Sequence, residues 1–195
     1  MTKLLGNLDK GLMIIVSAPA GTGKTTLVQK LVREFPEFVT QSISCTTRSR
    51  REGEIDGKDY VFLTEEAFEA RKAKGAFLEY ASVFGFHYGT LKEQIENKRI
   101  EGKHVILVID TQGAIKLRET IEGIYIFIAP PCIETLQKRL EKRNTESKKS
   151  LEKRLDWARH ELDQAKFYDY HIVNDDLDTA YQVLKSIIIA EEHKR

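Results

Sequence analysis

No apolar run in this chain approaches the length needed to cross a bilayer, so a membrane-spanning helix is excluded as a reading. Cysteine is scarce: Cys45 and Cys132 stand far apart without zinc-ligand spacing, and free thiols in a cytoplasmic protein are the simplest expectation. Excess charge is lacking too. Lys and Arg total 31 against 30 Asp and Glu, a net charge of +1, which offers no global basic field for nucleic acid. Any phosphate binding must come from local clusters. There is no internal repeat, low-complexity tract or Gly/Ser linker, and the opening "MTKLLGNLDKG" is too short and polar to read as a secretory signal. What remains is 195 residues, 41% hydrophobic, enough for one domain with or without insertions to bury a core without staples.

Short continuous apolar runs are present at Leu12–Val16, Val105–Ile109 and Ile124–Ala129, with a shorter one at Ile172–Val173. Such runs suit strands covered on both faces. Helical spacing separates them at Lys24–Glu34, Leu91–Lys98, Ala114–Glu119, Ile133–Lys142, Leu151–Lys166 and Leu177–Glu192. Buried strands alternating with helices predict a three-layer α/β core around a parallel sheet. Two segments break the alternation. Residues 41–90 read as short strands ("SISCTT", "DYVFL", "FLEYASV") with a helix near Thr64–Lys74, and residues 132–166 as a charged helix hairpin. Both excursions leave near the carboxyl ends of the strands, where open α/β sheets bind ligands.

"SAPAGTGKTT" follows the first strand and opens the first helix, but the first glycine of G-x-x-x-x-G-K-S/T is missing. Ala18 stands there, small enough for the backbone to pass closely. The loop Ala18, Pro19, Ala20, Gly21, Thr22, Gly23 keeps the two glycines that let N–H groups converge on an anion. The helix N-terminus adds partial positive charge. Lys24 can bridge outer phosphates, the Thr25 hydroxyl suits Mg²⁺, and Thr26 completes the motif. A ligand-free glycine turn explains the glycines but not Lys24 and Thr25. Asp110, after "HVILVI", is the acid placed to help hold Mg²⁺; it also reads as a helix N-cap, and the two roles are compatible.

"TTRSRREGE" concentrates Arg48, Arg50 and Arg51 in a turn-rich stretch, with Tyr60 and Tyr88 nearby. Guanidinium groups grip phosphate oxygens in pairs, although a basic turn alone is also a solvated surface. Seven motifs then appear in order: "SAPAGTGKTT", "SISCTTRSRREGEIDGKDY", "FLEYASVFGFHYGT", "VIDTQG", "FIAPP", "RNTES" and "VNDDLDTA". From about residue 12 to residue 190 the chain resembles guanylate kinases, P-loop nucleoside monophosphate kinases that transfer a phosphoryl group from ATP to GMP with Mg²⁺ in purine nucleotide metabolism.

The resemblance implies a core of 1–40, 91–131 and 167–195, a mixed-strand GMP-binding region of 41–90 and a helical lid of 132–166. It implies that Arg48 and Arg51 grip the GMP phosphate with Tyr60 and Tyr88, that Ser44 and Thr90 contact guanine, and that Glu79 reads the base, with Asp110 beside it. In the lid, Arg139, Arg143 and Arg154 match arginines around the transferred phosphoryl, and Asn174 resembles the loop bordering adenine. The guanine role has a chemical basis: N1–H and N2–H₂ are adjacent donors, a carboxylate offers two acceptors, and adenine presents a bare N1 instead. Small-molecule partners, with dGMP a further candidate acceptor, a monomer or weak homo-oligomer, and no nucleic-acid or membrane partner are expected.

Four positions depart from the family pattern. Arg50 replaces the proline of T-T-R-x-P-R, removing a fixed φ and adding a competing guanidinium. Val108 replaces the first acid of D-I-D, leaving the burden on Asp110. Asn144 replaces the glycine of R-G-T-E, and His87 a frequent tyrosine, where a structural role is expected. The lysines of 138–154 read as a solvated helix face, beside the apolar stripe Leu151, Leu155, Ala158, Leu162 and Ala165. A peptide-binding scaffold that has lost catalysis is the alternative from another class, and a kinase for another small acceptor is a third.

Overall fold

The computed structural model describes residues 3–83, 85–142 and 148–194, without the side chains of 148–150. Its strands are β1 (Met13–Ser17), β2 (Val39–Gln41), β3 (Cys45–Thr46), β4 (Val61–Phe62), β5 (Phe77–Val83), β6 (Phe86–Leu91), β7 (His104–Val108), β8 (Ile124–Ala129) and β9 (Tyr170–Val173). Its helices are α1 (Lys24–Glu34), α2 (Glu65–Ala73), α3 (Lys92–Ile100), α4 (Thr111–Arg118), α5 (Ile133–Glu141), α6 (Lys148–Asp163) and α7 (Leu177–Glu192), with a 3₁₀ turn at Gln164–Phe167.

The buried runs form a parallel five-stranded sheet in the order β2-β7-β1-β8-β9. Alternation along each strand sorts the core into two layers. Ile14, Val16, Ile106, Ile126 and Ile128 pack with Leu27 and Leu31 of α1 and Leu184 and Ile188 of α7. Met13, Ile15, Val105, Leu107, Tyr125 and Phe127 face the other way, against Ile95 of α3 and Leu117 of α4. This is the expected three-layer α/β arrangement. Edge strand β2 was not foreseen: "VTQ" is short and half polar, with no distinctive period.

The first excursion forms a mixed four-stranded sheet, β4-β3-β6-β5, on a small core of Cys45, Phe68 and Phe77. Strands β5 and β6 make a hairpin that turns at Gly85, whose φ of 85° favours glycine. The second excursion pairs α5 with α6 through Leu136, Leu140, Leu155 and Ala158. Leu162 and Ala165, further along the stripe, pack on the core layer beside Tyr168. The α6 stripe therefore serves two cores in succession. Among the described residues no helix is long and apolar enough to cross a membrane.

Candidate functional site

Strand β1 delivers the loop and α1 receives it. Gly21 and Gly23 adopt φ of 90° and 92°. A Cβ at Gly21 would come within 2.9 Å of Leu140 on α5, and one at Gly23 within 2.5 Å of the Asn174 amide. Both therefore need glycine for shape and for space. Among the described residues no side chain caps α1, so its leading N–H groups face the loop's concavity. Asn174 donates to the Thr22 carbonyl at 2.5 Å, and Thr22 Oγ1 to the Pro19 carbonyl at 2.9 Å, which fixes the loop from behind.

Lys24 extends into a cavity of about 310 Å³, lined also by Ala18, Ala20, Thr25, Ser44, Tyr60, Glu79, Tyr88, Asp110, Trp157 and Glu161. Its ammonium donates to the Ile109 carbonyl across 3.5 Å. Burial lowers the lysine pKa, while Glu161 and then Asp110 pull it back. Asp110 divides its oxygens: Oδ1 accepts the Gly113 N–H at 2.7 Å as the N-cap of α4, and Oδ2 is buried with no hydrogen-bond partner among the described residues. Val108 lines the same cavity.

The opposite wall is the β5–β6 hairpin. A register shift between Phe77 and Glu79 re-aims the strand, and Glu79 pairs with Thr90. Thr90 Oγ1 donates to Glu79 Oε1 at 2.7 Å. Burial raises the Glu79 pKa to about 7, the Thr90 hydroxyl opposing and Asp110 adding to the rise. A carboxylate whose donors both come from Thr90, in so buried a place, has acceptor capacity to spare. His87 stacks on Phe68 at 5.3 Å, the structural role expected of it.

A second cavity of about 250 Å³ adjoins the first through Val83 and Tyr88, and gathers Arg48, Arg51, Lys153 and Arg154. Arg48 is buried under Tyr60, 5.5 Å from the ring centroid, and donates to both oxygens of Glu54 at 2.7 and 3.0 Å. Burial works against its charge, but Glu54 and the Tyr88 hydroxyl prevail and its pKa rises. Arg50 is exposed.

Thus the two walls bring together Lys24, Thr25, Asp110, Ser44, Glu79, Tyr60 and Tyr88, with Arg48, Arg51 and Arg154 next door. Thr26 follows in the first turn of α1 and is exposed. Arg139 is engaged elsewhere: it donates to the carbonyls of Asn174 at 2.9 Å and Asp175 at 3.3 Å, tying α5 to the β9–α7 loop. Arg143 and Asn144 lie outside the described residues. Sequence reasoning missed Glu54, Lys153, Trp157 and Glu161. For Trp157 and Glu161 a usable signal existed: Arg154, Trp157 and Glu161 recur at helical spacing on one face of α6.

A family model described as guanylate kinase matches residues 10–191. The chain is 56% identical to a guanylate kinase of Protochlamydia amoebophila over 98% of this chain and 97% of that protein. It is 48% identical to one from Chlamydia muridarum over 93% and 89%. A crystal structure of guanylate kinase from Anaplasma phagocytophilum superposes with a TM-score of 0.78 at 34% identity, covering 95% of this chain and 88% of that one.

Proposed function

The chain belongs to the guanylate kinase family and transfers a phosphoryl group from ATP to GMP, and from that premise we propose how its cleft divides the work. The triphosphate lies in the loop Ala18–Thr26, with Lys24 on its outer phosphates and the base near Asn174. The acceptor phosphate lies among Arg48, Arg51, Tyr60 and Tyr88. Glu79, with Ser44 and Thr90 beside it, receives N1–H and N2–H₂ of guanine. Arg154 and Arg143 flank the migrating group from the lid, residues 132–166, which closes over the core and over the GMP-binding region, residues 41–90. Arg139 holds the loop bordering the adenosine end.

The acceptor phosphate is already nucleophilic, so positioning and charge neutralisation supply the catalysis. Arg48 and Arg51 screen donor from acceptor, and Glu54 orients Arg48 until a phosphate takes its place. Enclosure by the two excursions excludes water and suppresses hydrolysis. The Thr25 hydroxyl and the orphaned Asp110 Oδ2 share one cavity and fit a hydrated Mg²⁺. When bound with ATP, the ion supplies further neutralisation of the phosphate charge. Among the described residues no cluster of three or more His, Cys, Asp or Glu could hold a metal ion. A cytoplasmic setting agrees with the free thiols of Cys45 and Cys132.

One observation carries this assignment: the under-bonded Glu79 carboxylate faces the same cavity as Lys24 and Thr25. ADP release measured with ATP and a panel of GMP, dGMP, AMP, CMP and UMP tests it. GMP should exceed AMP by about 10⁴-fold in kcat/KM. Equal turnover of AMP would refute the role of Glu79.

A further inference from the structure

Three side chains on one face of α6 look into the cleft. Arg154 borders the arginine-lined cavity, while Trp157 and Glu161 border the cavity holding Lys24. Glu161 is 6% exposed, and the Thr111 hydroxyl at the start of α4 is its hydrogen-bonding partner. The helix that carries it is anchored twice, through Leu155 and Ala158 to α5 and through Leu162 to the core layer. Glu161 lies between these anchors, where a carboxylate is costly and an apolar residue would pack better. Packing alone does not call for it.

Across the cavity, the Lys24 ammonium makes one hydrogen bond among the described residues, the long contact to Ile109. Its charge is opposed by burial and supported first by Glu161, then by Asp110. We propose that Glu161 is a positioning residue: a counter-ion carried by the lid helix that keeps the Lys24 ammonium aimed into the cleft before the triphosphate arrives. The acid touches no reacting atom. It aligns the lysine through space and links the seating of α6 to the phosphate loop, so an incoming triphosphate meets a cation already in place. Glu161 borders the cavity of Lys24 but is not among the residues lining the arginine cavity, so the groups that grip the acceptor phosphate stay in place without it.

This inference rests on the reading of Lys24 as the triphosphate lysine, which K24M tests separately. Steady-state constants for both substrates and thermal midpoints are measured for wild type, E161Q, E161D and the exposed-face control E152Q. Glutamine preserves shape and the Thr111 bond, and aspartate preserves charge. Expected is a loss of about tenfold or more in kcat/KM for ATP in E161Q. KM for GMP should stay within twofold, the midpoint should not fall, E161D should lie closer to wild type, and E152Q should match it. The proposal is overturned by an unchanged kcat/KM for ATP in E161Q. Equal losses in E161Q and E161D, a fall in midpoint, or a failure of E161Q to fold would overturn it too, since each marks a role in packing. If K24M is inactive while E161Q behaves as wild type, only the inference fails. If K24M retains activity, the reading of the loop fails as well.

Discussion

Glu192 and Glu161 are sealed from water almost equally, at 4% and 6% exposure, yet their surroundings treat them in opposite ways. Glu192, at the end of α7, accepts from the N–H groups of Gly6 and Asn7 at 3.0 and 2.7 Å, and from the Asn7 amide at 2.6 Å. His104 adds a fourth donor at 2.5 Å. Because His104 Nδ1 accepts the Leu12 N–H, its proton sits on Nε2 and points at the acid. Burial alone would raise the Glu192 pKa, but these donors outweigh it and the pKa is lowered. Glu161 and Glu79 each have a hydroxyl partner, and burial raises both to about 7. Equal burial thus has two meanings. A saturated acid closes the fold by fastening the N-terminal segment to the last helix. An unsaturated one marks a place kept for something else.

The sharpest way to break this contrast is at Lys24, the cation of the unsaturated side. Lys24→Met should lower kcat by about 10³-fold in an ADP-release assay, with no loss of thermal midpoint. Next comes the saturated side. Glu192→Ala strands four donors and should cost about 3 kcal/mol in urea unfolding, leaving kcat/KM of the folded enzyme within twofold. A smaller effect of opposite sign belongs to Glu79. Its folded pKa of about 7 exceeds the ordinary 4.5, so its contribution to stability is fully present below 4.5 and is lost as pH rises through 7. Glu79→Gln should therefore be more stable than wild type by about 2 kcal/mol at pH 8, with the gap closing towards pH 5. Smallest is the acid limb of Glu192. Its lowered pKa contributes stability above the ordinary carboxylate range that fades as pH falls, so the deficit of Glu192→Gln should shrink below pH 4.

The same contrast shows what could be read beforehand. The phosphate loop, the buried strands and the Asp110 cap are local signals, written in spacing and residue type, and all three appear where expected. Strand β6 was expected only as a short strand around Tyr88 and given no bounds, although Gly85 between two strand-like runs is a hairpin signal. The role of Glu79 came only from family likeness, because an acid on a strand face says nothing about which cavity it will meet. Glu54 was invisible for the same reason: its partner, Arg48, is brought to it by a turn. Glu192 was equally silent, since three of its four donors lie about 185 residues away and His104 lies 88 away.

The central claim is that the cleft leaves carboxylates under-bonded for a ligand to complete. The most direct measurement is the titration of the Glu79 carboxyl by carbon NMR, without and with GMP. A midpoint near 7 in the free protein that drops by a unit or more with GMP bound is predicted. A free-protein midpoint in the ordinary range near 4.5, or one indifferent to GMP, would contradict the account.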